Sequence, residues 1–253
     1  MQPDTPKILP ELDAFSPSLI IFDKDGTLTD FRAMWVSWIV ELAQRLEVET
    51  GLFIRDRVFN EVGFDPVSGK IDLEGHLAVT PTGILRTHVV GVLQAAGLKK
   101  QAAEAAMTAA WFLPDSVALA RPLTDLEALF STLNTCGIRV AIATSDDCVT
   151  TRAMLKGLGI ASLVDAVVCA DDGFSIKPKP DMILAICREL DILPSRSVIV
   201  GDNVVDLQMG RAAGVGLTIG VLSGLGVAAD LAPYADVILA SIDKLSSVQA
   251  RHG

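Results

Sequence analysis

Residues 18–30, SLIIFDKDGTLTD, decide the fold. Leu19 to Phe22 run unbroken into Asp23, too short a run for a helix and rich in branched side chains. An apolar run without alternation is what a strand looks like when helices cover both faces of its sheet. Gly26 allows a sharp bend just beyond it, so the strand ends in a loop carrying the carboxylates of Asp23 and Asp25 and the hydroxyl of Thr27.

Runs of the same character recur downstream. They are IRVAIATS ending at Ser145, AVVCA at Ala170, SVIVGD at Asp202, GLTIGV at Val221 and ADVILA at Ala240. Helical patterns over Leu123–Cys136, Cys148–Leu158, Asp181–Leu190 and Val204–Ala213 separate them. Strands alternating with crossover helices predict an α/β, doubly wound parallel sheet of Rossmann-like type, in which ligands bind beyond the carboxyl ends of the strands.

Between the first run and the second lie about a hundred residues, far more than one crossover helix needs. Residues 31–121 therefore read as an inserted, smaller α-helical cap domain. Residues 16–30 and 122–253 read as the catalytic core, and 1–15 as an N-terminal extension. Within the insert, Leu42, Leu46, Leu85, Val89, Val92 and Leu93 lie at helix spacing and read as its own core.

Of the 253 residues, half are apolar, and 21 basic against 31 acidic residues give a net charge of -10. That sign repels nucleic acid and anionic lipid, and no local block of Lys or Arg opposes it, so neither is an expected partner. Cys136, Cys148, Cys169 and Cys187 lack metal-ligand spacing and read as reduced core residues. The N-terminal stretch has neither the basic region nor the apolar core of a secretory signal. The longest uncharged run, Ala212 to Ala229, reaches 18 residues but carries five glycines and reads as a strand between turns. A cytoplasmic protein, monomeric or homodimeric, is the expectation.

The conspicuous polar residues fall at the strand ends, and as a set they meet the needs of phosphoryl transfer. Asp23 is placed as a carboxylate nucleophile and Asp25 as the proton carrier for leaving group and water. Thr144 and Ser145 end the second strand; with Lys177, Gly26 and Thr27 they form the expected phosphate-binding set. Thr144 would offer its hydroxyl and backbone N–H, and Lys177, in an extended loop before Pro178, would offset negative charge. Asp23, Asp202, Asp206 and the backbone carbonyl of Asp25 suit Mg²⁺, which prefers a few carboxylates with water and substrate oxygens.

These segments resemble the haloacid dehalogenase-like hydrolases. IIFDKDGTLTD is similar to that family's first motif, VAIATS to its second with Thr144 at the matching position, IKPKPD to its third with Lys177, and VIVGDNVVDLQMGRAAG to its fourth with Asp202 and Asp206. GVLSGLG and YADVILASIDKL look like its closing strands. The resemblance implies the roles given above and a helical cap inserted after the first motif. Asp25, two residues after the nucleophile, points to phosphate monoesters rather than dehalogenation or phosphonate cleavage. The layout is most similar to phosphoglycolate phosphatase-like enzymes, and a small phosphorylated metabolite is the implied substrate.

Three alternatives bear on the same residues. A sugar-phosphate mutase of the β-phosphoglucomutase type uses the same carboxylates. A retired, phosphate-binding module would lack part of the acid set, and none is missing. A Ser/His hydrolase is disfavoured because Ser223 lies outside GxSxG spacing and His76, His88 and His252 show no partner pattern. Lys24 reads as a side chain directed away from phosphate, without a role. Arg32, Arg55, Arg57 and Arg86 are candidate anchors for a substrate carboxylate.

Overall fold

The structure is a computed structural model and describes residues 8–246. In chain order, α1 (Pro10–Phe15) and β1 (Leu19–Phe22) precede a stretch holding α2 (Phe31–Thr50), α3 (Arg55–Val62), β2 (Phe64–Asp65), β3 (Lys70–Ile71), α4 (His76–Val79), α5 (Thr82–Ala95) and α6 (Lys100–Ala110). There follow α7 (Leu126–Thr135), β4 (Arg139–Ala143), α8 (Cys148–Gly157), β5 (Ala166–Val168), α9 (Asp181–Glu189), β6 (Ser197–Gly201), α10 (Val204–Ala213), β7 (Leu217–Val221), α11 (Ala228–Leu231) and β8 (Val237–Leu239). The chain divides into two compact units, Met1–Asp30 with Ala120–Gly253, and Phe31–Leu119.

The first unit is built on a six-stranded sheet in the order β5-β4-β1-β6-β7-β8, with every pairing parallel. All four residues of β1 are fully buried, and the pleat sends them alternately to two cores. Ile20 and Phe22 pack in one cluster with Leu129 and Phe130 of α7 and Met154 of α8, while Leu19 and Ile21 pack in another with Ile183 and Ile186 of α9 and Leu207 of α10. Each such side chain contributes roughly 1.5–3 kcal/mol on burial, which is why no polar residue interrupts the run.

Register then fixes the site. Phe22 pairs with Ile142 of β4 on one side and with Val200 of β6 on the other. Asp23, one residue past Phe22, and Thr144 and Asp202, two residues past its partners, therefore emerge along one edge of three adjacent strands. Here the strand order changes direction, the position at which open parallel sheets bind ligands.

Some sequence expectations are revised. The supposed extension is structured from Pro10 on, because α1 buries Leu12 in the first core; residues 1–7 lie outside the described part. Cys148 and Cys169 are distant in sequence, yet their sulfurs approach to 2.7 Å because α8 begins beside the end of β5. The uncharged run from Ala212 to Ala229, by contrast, holds the strand expected of it, β7, between the end of α10 and the start of α11. Among the described residues no helix is long and apolar enough to cross a membrane.

The second unit is helical apart from the β2–β3 hairpin, which occupies the Gly- and Asp-containing stretch. Its six expected core residues are all buried. Trp38 anchors it, donating its ring N–H to the Phe112 carbonyl at 2.8 Å and meeting Trp35 and Trp111 edge to face. The four arginines named as candidate anchors are engaged within this unit. Arg55 pairs with Glu47 at 2.7 Å, Arg86 donates to Thr108 at 2.8 Å, Arg57 donates to the Ala95 carbonyl at 3.4 Å, and Arg32 donates to the Gly69 carbonyl.

Candidate active site

Asp23 leaves the end of β1 with its N–H donated to the Val200 carbonyl of β6, so its backbone belongs to the sheet. Lys177 reaches it from the loop after β5, ion-pairing with one Asp23 oxygen and lying 2.7 Å from the Asp206 carboxylate. Asp206 sits in the first turn of α10 for a local reason. Its other oxygen accepts the Asn203 N–H at 3.1 Å, closing a capping box in which Asn203 accepts the Val205 N–H at 3.3 Å.

Asp202 is clamped by two loops. One of its oxygens accepts the Thr27 hydroxyl at 3.2 Å and the other accepts the Leu225 N–H at 2.8 Å. The loops close this tightly only through glycine. Gly26 has φ +89°, and a Cβ there would stand 2.4 Å from an Asp202 oxygen; a Cβ on Gly224 would stand 1.9 Å from it. Ser223 completes the closure by donating to the Gly26 carbonyl at 2.9 Å.

Carboxylate oxygens of Asp23, Asp202 and Asp206 lie within 4.8 Å of one another, and all three residues are buried. Burial, together with Asp206, pushes the Asp23 carboxyl up to about 7 although Lys177 pulls it down. Burial, then the charges of Asp23 and Asp206, raise Asp202 well above the carboxylate range. Burial works against the Lys177 ammonium, but Asp206 and Asp23 outweigh it and raise its pKa. Three acids thus share one ammonium in a dry site, and the cluster holds on to protons because full ionisation would leave negative charge without a partner. Converging buried oxygens of this kind fit a hard divalent cation.

A second charged group stands beside the first. Lys24 is buried, 2.6 Å from Asp25 and 2.8 Å from Asp146, whose backbone leaves the loop after β4. Thr29 holds the other Asp25 oxygen at 3.0 Å. Burial raises Asp146 to about 6 while Lys24 lowers it.

Residues 17–214 match the sequence pattern of the haloacid dehalogenase-like hydrolases. The chain belongs to that family. It is 30% identical over 206 residues to the tyrosine-protein kinase PtkA of Mycobacterium tuberculosis, a match covering 79% of this chain and 60% of that protein. It is 35% identical over 112 residues to the phosphoglycolate phosphatase of Escherichia coli, covering 43% of each. These matches span less than two thirds of the relatives' own lengths. The fold of this family member is that of a predicted phosphoglycolate phosphatase from Haemophilus somnus, with TM-score 0.62, 17% identity, and coverage of 88% of this chain and 94% of that one.

The structure brings Asp23, Lys177, Asp202 and Asp206 together. It corrects three local readings, those of Thr144, Thr27 and Lys177. The Thr144 N–H is donated to the Val168 carbonyl within the sheet, so only its hydroxyl, which accepts the Asp146 N–H at 3.2 Å, can donate elsewhere. The Thr27 hydroxyl is directed to Asp202 rather than toward a phosphate. Lys177 occupies a turn closed by the Lys179 N–H on the Ile176 carbonyl, with a cis Lys177–Pro178 peptide, rather than an extended segment. The side chain of Asp25 stands with Lys24 and Thr29, outside the three-carboxylate cluster. Sequence reading missed Lys24 and Asp146. A lysine between two acids at a buried strand end was the available signal, because a cation there cannot stay dry without partners.

Proposed function

We propose that the chain is a Mg²⁺-dependent phosphatase acting on a small phosphomonoester, phosphoglycolate-like or a sugar phosphate, through a phosphorylated Asp23. The observation that carries this reading is the buried cluster of Asp23, Asp202 and Asp206 bridged by Lys177. The three carboxylates and the backbone carbonyl of Asp25 would hold the cation, which when bound neutralises carboxylates and phosphoryl oxygens together.

Asp23 attacks phosphorus in line; the bond to the leaving oxygen breaks as the new Asp23–phosphorus bond forms, and Asp25 gives that oxygen its proton. Water then attacks phosphorus, Asp25 takes its proton, and the Asp23 carboxylate leaves with release of inorganic phosphate. Thr144 donates its hydroxyl to a phosphoryl oxygen, Ser145 and the loop at Gly26 flank it, and Lys177 offsets charge on the nucleophile. Lys24, held between Asp25 and Asp146, acts as a positioning residue for the proton carrier. Thr27 serves by orienting Asp202. A soluble metabolite as substrate suits a cytoplasmic monomer or homodimer of net charge -10.

The likeness to a protein named as a tyrosine-protein kinase supports a second reading, transfer of the phosphoryl group to a protein hydroxyl, and mutase chemistry would return it to a sugar. A panel of phosphomonoesters, with phosphoglycolate and hexose phosphates, is incubated with Mg²⁺ and assayed for free phosphate, isomerised sugar and labelled tyrosine peptide. Free phosphate alone is expected, abolished by chelator and by Asp23→Asn. Full activity in chelator, or an active Asp23→Asn variant, overturns the proposal.

A further inference from the structure

The histidines His76 and His88 share one acid inside the second unit, although neither shows a partner in the sequence. His88 Nδ1 lies 3.2 Å from the Glu61 carboxylate and His76 Nε2 lies 3.9 Å from the same oxygen. The two rings stack with centroids 3.7 Å apart, so ligation of one ion requires them to turn out of the stack until their ring nitrogens converge. Three separate helices supply the groups: Glu61 comes from α3, His76 from the first position of α4 and His88 from α5.

Backbone packing brings them together. Gly63, in the left-handed region at φ +76°, ends α3, and its carbonyl accepts the Asp72 N–H at 2.8 Å. The chain then returns against α3 at Gly75, where a Cβ would stand 3.0 Å from the Val62 carbonyl. His76, the next residue, is thereby delivered beside Glu61.

We propose that Glu61, His76 and His88 form a Zn²⁺ site. The three ligand atoms lie within 4.8 Å of one another. Zinc bonds of about 2.1 Å in a tetrahedron require ligand atoms roughly 3.4 Å apart, and the two measured separations from Glu61 bracket that value. The longer of them exceeds hydrogen-bond length, so the carboxylate alone does not satisfy His76 Nε2. His76 is also oriented as metal-bound histidines are. Its Nδ1 lies 3.0 Å from the Thr80 hydroxyl, and with Nδ1–H donated there, Nε2 presents its lone pair to the ion. Two imidazoles with one carboxylate select zinc over magnesium, which prefers an all-oxygen shell. About a third of each side chain is exposed, leaving a path for the ion and for a completing water. The site shares no residue with the carboxylate cluster.

The test uses the full chain, stripped with chelator, fully reduced and saturated with Mg²⁺, and titrated calorimetrically with Zn²⁺. One zinc is expected to bind, with affinity falling at least about 100-fold in His76→Ala and in His88→Ala, and about 10- to 100-fold in Thr80→Val. Circular dichroism establishes that each variant is folded. Replacing zinc with Co²⁺ should give visible bands of a tetrahedral site without sulfur-to-metal charge transfer. Failure of the wild-type chain to bind zinc, or binding unchanged in both folded histidine variants, overturns the proposal. So do Co²⁺ bands of thiolate character that vanish in Cys148→Ser, since they assign the ion to Cys148, Cys169 and Asp172.

Discussion

The ammonium of Lys24 lies 2.8 Å from the carboxylate of Asp146, a residue supplied by a strand end more than a hundred positions away. That pairing, together with the 2.6 Å contact to Asp25, fixes the Asp25 carboxylate from one side while Thr29 fixes it from the other. A buried lysine needs such partners, and buried acids need it in turn.

Loss of Lys24 should therefore act through protonation of the leaving group. In Lys24→Met, turnover of alkyl phosphates is expected to fall by about 100-fold, the scale of general acid catalysis, while p-nitrophenyl phosphate, whose leaving group needs no proton, falls less than about tenfold. Steady-state rates against leaving-group pKa measure this. Equal losses on both substrates would assign Lys24 to folding alone.

Closure of the loops around Asp202 should be intolerant of a single methyl group. Gly224→Ala places a Cβ 1.9 Å from an Asp202 oxygen, and the displaced carboxylate should cost at least about 100-fold in phosphatase rate. Gly214→Ala is the control. That position also has positive φ, +74°, but meets nothing within 4 Å, so it should lose about 1 kcal/mol of stability and keep its activity.

Thr144 offers a hydroxyl but no N–H, because the latter is bonded within the sheet to Val168. Thr144→Ser should accordingly keep activity within about tenfold, whereas Thr144→Val should lose about 100-fold or more, as when one phosphoryl-oxygen donor is deleted. Matching losses in the two variants would show that the methyl group, not the hydroxyl, matters.

Acid should weaken the far edge of the sheet through Asp236, which accepts the Thr218 N–H at 2.8 Å and pairs with Arg211 at 2.6 Å. Burial works to raise its pKa, and those partners more than offset it, leaving the group below the usual carboxylate range. A folded-state pKa below the unfolded value contributes stability above about pH 4, and that contribution disappears as pH falls through the folded value. Asp236→Asn should cost about 1 kcal/mol at neutral pH, a figure kept small because a third of the side chain meets solvent. Its urea midpoint should converge with that of wild type as the pH is lowered below about 4.

The sequence by itself determined the parallel sheet, the place of the helical insert and the acids at the strand ends. Unbroken apolar runs such as LIIF have one common use, and each ends at the residue that leaves the sheet. Asp23, Lys177, Asp202 and Asp206 were legible because strand register converts position along the chain into position along an edge. Tertiary structure alone decided what those groups face. Lys24 was paired with Asp146, Thr27 was directed to Asp202, the Thr144 N–H was committed to Val168, and His76 and His88 met at Glu61. Each of these is a contact between residues of different elements, and no local periodicity records which group another segment will bring into reach.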